Sequence, residues 1–261
     1  MLPGGPFEHR RPGFPGAENQ TFARKIMQAT PIPIIALDVP DAASAFALLE
    51  RIGPGADFVK VGLQLFTAEG PPVVRALRER GMRIFLDLKL HDIPNTVAHA
   101  VRSAGALEVD LLTVHASGGA AMLRAAAEAA AGSGVSLLGV TVLTSLAEAE
   151  LAEAWGRDRV AAGEEVARLA GIAAECGVPG VVASVHEIEA VHRAAAGMRV
   201  LTPGIRLAGD DAGDQARVAT PGDAARLGAN YVVLGRSITA APDPDAALER
   251  AIREMADTTG A

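Results

Sequence analysis

From Ile32 onward, short apolar runs rich in branched side chains alternate with Ala-rich stretches of helical period. The runs are "IPIIALDV" (32–39), "DFVKVGL" (57–63), "RIFLDLKL" (83–90), "DLLTVHA" (110–116), "VSLLGVTVL" (135–143), "GVVAS" (180–184), "RVLTPGI" (199–205) and "YVVLGRS" (231–237). Each has the length of a strand buried on both faces. Between them lie segments such as "DAASAFALLERI", "PPVVRALRERG", "NTVAHAVRSAG", "GAAMLRAAAEAA", "GEEVARLAGIAAECG" and "GDAARLGA". Gly81, Gly105, Gly177 and Gly228 fall where such helices should stop, the usual place for a C-terminal glycine. Eight strands alternating with helices predict parallel strands joined by right-handed crossovers. The count and the length of 261 residues favour one closed eight-stranded parallel (β/α)8 TIM barrel over a doubly wound open sheet.

Composition narrows the functions. Hydrophobic residues make up 49% of the chain and aromatic residues 3%, so a large core is built from small side chains. Few rings are left for stacking on single-stranded nucleic acid. The net charge of −7, with acidic and basic residues interspersed, disfavours nucleic acid and anionic membranes as partners. The lone Cys176 allows no intrachain disulfide and suits a reducing cytoplasm; its place at a helix end reads as a small core residue. No apolar run reaches membrane-spanning length. Residues 1–29 are rich in Pro and Gly, lack the apolar stretch of a signal peptide and read as a poorly ordered extension, leaving 30–261 as the barrel domain.

A barrel of this kind does its chemistry at the carboxyl ends of its strands. The polar residues there are Asp38, Lys60, Asp87, Lys89, Asp92, His115, Thr144, Ser184, Arg206 and Arg236. The densest group is "FLDLKLHDIPNT" (85–96). Strand alternation points Asp87 and Lys89 the same way, into the barrel, if Leu86, Leu88 and Leu90 face the helices. Lys60, on the preceding strand, can reach the same mouth. Carboxylates flanking a lysine favour its ammonium form and hold it in place as a proton donor. The alternative, a structural ion-pair network closing the barrel top, is a costly way to gain stability.

These residues carry a resemblance. "LDLKLHDIPNT" holds a D-x-K-x-x-D motif in the form found in the orotidine 5′-phosphate decarboxylase family. "ALDVP" (36–40), "FVKVG" (58–62), "VHASGG" (114–119), "VTVLTS" (140–145), "TPGIR" (202–206), "AGDQAR" (212–217) and "LGRSI" (234–238) resemble that family's segments in its order. The resemblance spans about 32–240 and excludes the Pro/Gly-rich head. It implies decarboxylation of orotidine 5′-monophosphate to uridine 5′-monophosphate, the last step of de novo pyrimidine synthesis, without metal or organic cofactor. It implies that Lys89 protonates C6, that Asp87 lies beside the substrate carboxylate, and that Lys60 and Asp38 bind the ribose hydroxyls and order the charges. It further implies a homodimer in which Asp92, with Ile93 and Thr96 in the same segment, reaches into the neighbour's site. Thr144 resembles the residue whose loop contacts the pyrimidine edge.

The last two strands end in "TPGIR" and "LGRS", where barrels often hold a phosphate. Gly204 and Gly235 permit close backbone approach, and Arg236 can add a bidentate contact. The polar run 205–223 has the length of a lid. By resemblance it closes over the phosphate, with Arg206 and Gln215 binding there and Gln215 also meeting the pyrimidine. His115 and Ser184 face the mouth by pattern without an assigned step, and His91 should alternate away from Lys89 and pack. His186 with Glu187 and Glu189 suggests a metal but lacks further ligands. Trp155 either covers the rim or packs a helix. Two rivals remain: a magnesium-dependent sugar-phosphate decarboxylase with the same motif, and a non-catalytic nucleotide-binding barrel.

Overall fold

The computed structural model describes residues 30–207 and 219–257. Eight parallel strands close on themselves in chain order: β1 (Ile32–Ala36), β2 (Phe58–Gly62), β3 (Arg83–Leu90), β4 (Leu111–His115), β5 (Ser136–Val140), β6 (Gly180–Val182), β7 (Arg199–Ile205) and β8 (Tyr231–Leu234). Closure is sealed by β1 pairing with β8, Ile32 opposite Tyr231 through Ile35 opposite Leu234. All eight runs read from the sequence are strands, and the open-sheet alternative falls.

The period of two sorts the strand residues into two cores. Ile34, Phe58, Phe85, Leu111, Leu138, Leu201, Tyr231 and Val233 point inward and fill the barrel. Phe58 meets Tyr231 edge to face, ring centroids 6.3 Å apart. The alternate residues, among them Ile35, Val59, Ile84, Leu112, Leu137, Val181, Val200 and Val232, join the larger core between sheet and helices. This explains why the strands read as continuous apolar runs: both faces are buried.

The helices cap as their sequences dictate. Helix Ala42–Ile52 begins at Asp41, whose carboxylate accepts from the Ser44 amide at 2.7 Å. Helix Pro221–Leu227 opens on Thr220, with Asp223 returning a bond to the Thr220 amide, and closes on Gly228 in the left-handed region at φ 88°. Gly105 closes its helix, as the last residue of Pro94–Gly105, but is not a left-handed cap; Glu108 at φ 55° makes that turn instead. A Cβ on Gly105 would sit 3.1 Å from the Ser133 Cβ, so the glycine serves close packing. Cys176 is buried, free, and ends helix Ala162–Glu175, as the sequence suggested. Among the described residues no helix is long and apolar enough to cross a membrane.

Candidate active site

Extending each inward-facing row two residues beyond the apolar layer reaches the barrel mouth. Ala36 leads to Asp38, Phe58 to Lys60, Phe85 to Asp87 and on to Lys89, Leu111 to Thr113, and Val233 to Gly235. The strand period itself therefore gathers Asp38, Lys60, Asp87 and Thr113.

They form an alternating chain of charge. Lys60 Nζ lies 2.7 Å from Asp38 Oδ1 and 3.9 Å from Asp87 Oδ2. Lys89 Nζ donates to the same Asp87 Oδ2 at 2.8 Å. Asp87 thus sits between two ammonium groups, its side chain only 12% exposed. Lys89 keeps 31% of its side-chain surface and faces the cavity, whereas Lys60 is nearly enclosed at 11%. Gly62 makes room for this pair: a Cβ there would lie 2.9 Å from Lys60 Nζ and 3.2 Å from Asp38 Oδ1.

The strand carrying Asp87 and Lys89 is not regular. Leu86 pairs with Leu112 but Leu90 pairs with Val114, so β3 takes four steps where β4 takes two. Lys89 stands at φ 50°, a conformation uncommon for a residue with a side chain. The sequence expectation that both charges face inward holds, as does the packing of Leu86, Leu88 and Leu90 on the outer core, but the path there is a bulge rather than plain alternation. Thr113 is the residue that sequence reasoning missed here. Fully buried, its hydroxyl accepts from the Lys89 amide at 2.9 Å and donates to Asp87 Oδ1 at 2.9 Å. The available signal was a hydroxyl on the inward face of β4, one step below the mouth.

The charges line one side of a cavity of about 300 Å³. Ala36, Phe85, Val140, Val182, Leu201 and Val233 supply apolar lining. Thr144, Gly204, Arg206, Gly235 and Arg236 complete its rim, the last two at the start of the single-turn helix Arg236–Thr239. A polar row, an apolar lining and a cationic end in one concavity suit a ligand with an apolar-faced ring and a remote anion.

Other candidates lie elsewhere. Asp92, Ile93 and Thr96 are exposed and do not line this cavity; Asp92 Oδ1 accepts from the Ile93 amide at 2.6 Å. Ser184 is a correction: it is buried, caps the short turn Val185–Glu187 and does not line the cavity. The Glu187 carboxylate accepts from the Ser184 amide at 3.0 Å, and among the described residues no three acidic, His or Cys side chains converge as metal ligands. Trp155 borders a separate pocket with Ala116 and Arg168, under the Arg157 guanidinium, and does not cover the main cavity. His91 is exposed and its ring lies 5.3 Å from that of His115. Burial holds the His115 imidazole below its ordinary pKa, with the nearby charges of His91 and Lys89 acting in the same direction. Gln215 and the extension 1–29 lie outside the described residues.

Acidic and ammonium groups alternating at the carboxyl mouth of a (β/α)8 barrel define an enzyme site of the barrel class. The family description "Orotidine 5′-phosphate decarboxylase / HUMPS family" matches residues 31–251. The chain is 51% identical over 230 residues to the orotidine 5′-phosphate decarboxylase of Moorella thermoacetica, covering 85% of this chain and 91% of that one. It is 52% identical over 215 residues to the enzyme of the same name from Anaeromyxobacter sp. (strain K), covering 81% and 92%. The crystal structure of orotidine 5′-phosphate decarboxylase from Lactobacillus acidophilus superposes with a TM-score of 0.76 at 36% identity, over 87% of this chain and 99% of that one. The chain belongs to the orotidine 5′-phosphate decarboxylase family, and its chemistry is that of a decarboxylase.

Proposed function

We propose that this chain converts orotidine 5′-monophosphate to uridine 5′-monophosphate and carbon dioxide, with Lys89 as the proton donor to C6. The observation that carries the reading is the continuous row Asp38–Lys60–Asp87–Lys89 on one wall of a cavity whose rim includes Arg206 and Arg236. Breaking the bond between C6 and the carboxyl carbon leaves an electron pair on C6 that the ring delocalises poorly. A fixed ammonium beside that carbon stabilises the developing charge and then transfers its proton there, regaining one from solvent afterwards. Asp87 adds repulsion toward the departing carboxylate. Lys60 and Asp38 meet the ribose hydroxyls, Thr144 the pyrimidine edge, and Arg206, Gly235 and Arg236 the phosphate, with Gln215 joining from the segment that follows Arg206.

The rival sugar-phosphate decarboxylase would need a bound magnesium ion. Purified protein should therefore be mixed with orotidylate, with and without EDTA, and its ultraviolet absorbance followed. Equal loss of absorbance in both is expected. Loss abolished by EDTA and restored by magnesium, or turnover of a keto-sugar phosphate instead, would reject the reading.

The reading extends to a homodimer. Asp92 and Thr96 are exposed in one segment with Ile93, itself 66% exposed, an arrangement suited to reaching into a second copy. Mixing Lys89→Ala and Asp92→Ala protomers gives hybrids in which one site carries both lesions and the other neither. Random pairing should regain about a quarter of wild-type activity from two inactive parents. Activity that never exceeds the parents' under subunit exchange would reject shared sites. The single free, buried Cys176 is compatible with a cytoplasmic setting, which cell fractionation tests.

A further inference from the structure

We propose that Thr113 is a positioning residue that sets the catalytic ammonium, an inference resting on the decarboxylase reading above. The bulge in β3 removes the Lys89 amide from ordinary ladder pairing, and the amide donates instead to Thr113 Oγ1 at 2.9 Å. An amide can only donate, so the hydroxyl accepts there. An ionised carboxylate can only accept, so the same hydroxyl gives its single proton to Asp87 Oδ1 at 2.9 Å. The other Asp87 oxygen accepts from Lys89 Nζ at 2.8 Å. The bonds close a ring: Lys89 main chain, Thr113 hydroxyl, Asp87 carboxylate, Lys89 side chain.

One hydroxyl thus does two things. It compensates a left-handed residue that is not glycine, where the strand's own hydrogen bonds cannot. It also fixes the rotation of the Asp87 carboxylate, so that one oxygen faces the Lys89 ammonium while the other is held by Thr113. Without it, the part-buried amide loses its acceptor and the carboxylate is free to turn toward Lys60, 3.9 Å away. The ammonium would then sit in more than one place, and reactions of this kind are sensitive to misplacement of about 1 Å. Thr113 touches no part of the cavity itself, so ligand binding should be little affected.

The test compares Thr113→Val, which keeps the shape and removes the hydroxyl, with Thr113→Ser, which keeps the hydroxyl. Thr113→Val should lower kcat on the order of tenfold or more, while KM and the Kd for uridine 5′-monophosphate stay within about threefold. Thr113→Ser should restore kcat to within about threefold of wild type. The Kd also reports whether each variant has folded its site. Thr113→Val with wild-type kcat overturns the inference, as does Thr113→Ser as impaired as Thr113→Val, or a kcat loss matched by an equal loss of product binding. A wild-type protein inert toward orotidylate would instead reject the decarboxylase reading, so the two failures are distinguishable.

Discussion

Replacing Lys89 by Ala is expected to lower orotidylate turnover at least roughly ten-thousand-fold, in line with removing a group on which the chemical step depends. The reasoning is electrostatic. The negative charge at C6 appears only as carbon dioxide departs, so a cation fixed beside C6 is worth more in the transition state than in the ground state. Lys89 is the more open of the two lysines in the row, and its ammonium is held by one strong bond to Asp87 at 2.8 Å. Lys60 cannot substitute, because it is enclosed and committed to Asp38 at 2.7 Å. On the proposed reading product binding draws on the ring pocket and the arginines rather than on Lys89, so the Kd for uridine 5′-monophosphate should change by less than about tenfold. Near-normal turnover by Lys89→Ala would remove this residue from the mechanism.

The second large effect is expected at the residue proposed to meet the phosphate. Arg236→Ala should lower kcat/KM on the order of a hundredfold, the cost of a charge-assisted contact to a dianion. Arg236 lines the cavity together with its chain neighbour Gly235 and with Arg206. Binding energy gathered there can assist the chemical step, so the loss should appear in kcat as well as KM. If so, a substrate lacking the phosphate should turn over slowly, and added phosphite should partly restore it in wild type but far less in Arg236→Ala. Wild-type kcat/KM in the variant would move the phosphate away from this residue.

The sequence revealed the barrel because two-sided burial writes each strand as an unbroken apolar run, and a charge inside such a run stands out. Asp87 and Lys89 were conspicuous for that reason, and the strand period correctly aimed them inward. The same period could not reveal the bulge, because it assumes one residue of β3 for each residue of β4. Nothing in "LDLKL" marks the left-handed turn at Lys89, which is imposed by pairing with Leu112 and Val114 on a strand distant in sequence. Thr113 was passed over because threonine is unremarkable in a strand; only its neighbours across the sheet give its hydroxyl a purpose. Ser184 shows the converse. It follows the inward row of β6, but the chain turns at once into Val185–Glu187, and its hydroxyl is taken by the His186 amide. Gly105 does end its helix, but without the left-handed turn of a glycine cap, and it also serves close packing against Ser133.

Mixing the purified protein in molar excess over orotidylate bears most directly on the decarboxylation itself, because a trace contaminant cannot then supply the turnover. Absorbance should decay in a single phase to that of uridine 5′-monophosphate, with one carbon dioxide released per substrate and no decay for Lys89→Ala under the same conditions. Undiminished absorbance with the wild-type protein, or equal decay with Lys89→Ala, would contradict the assignment.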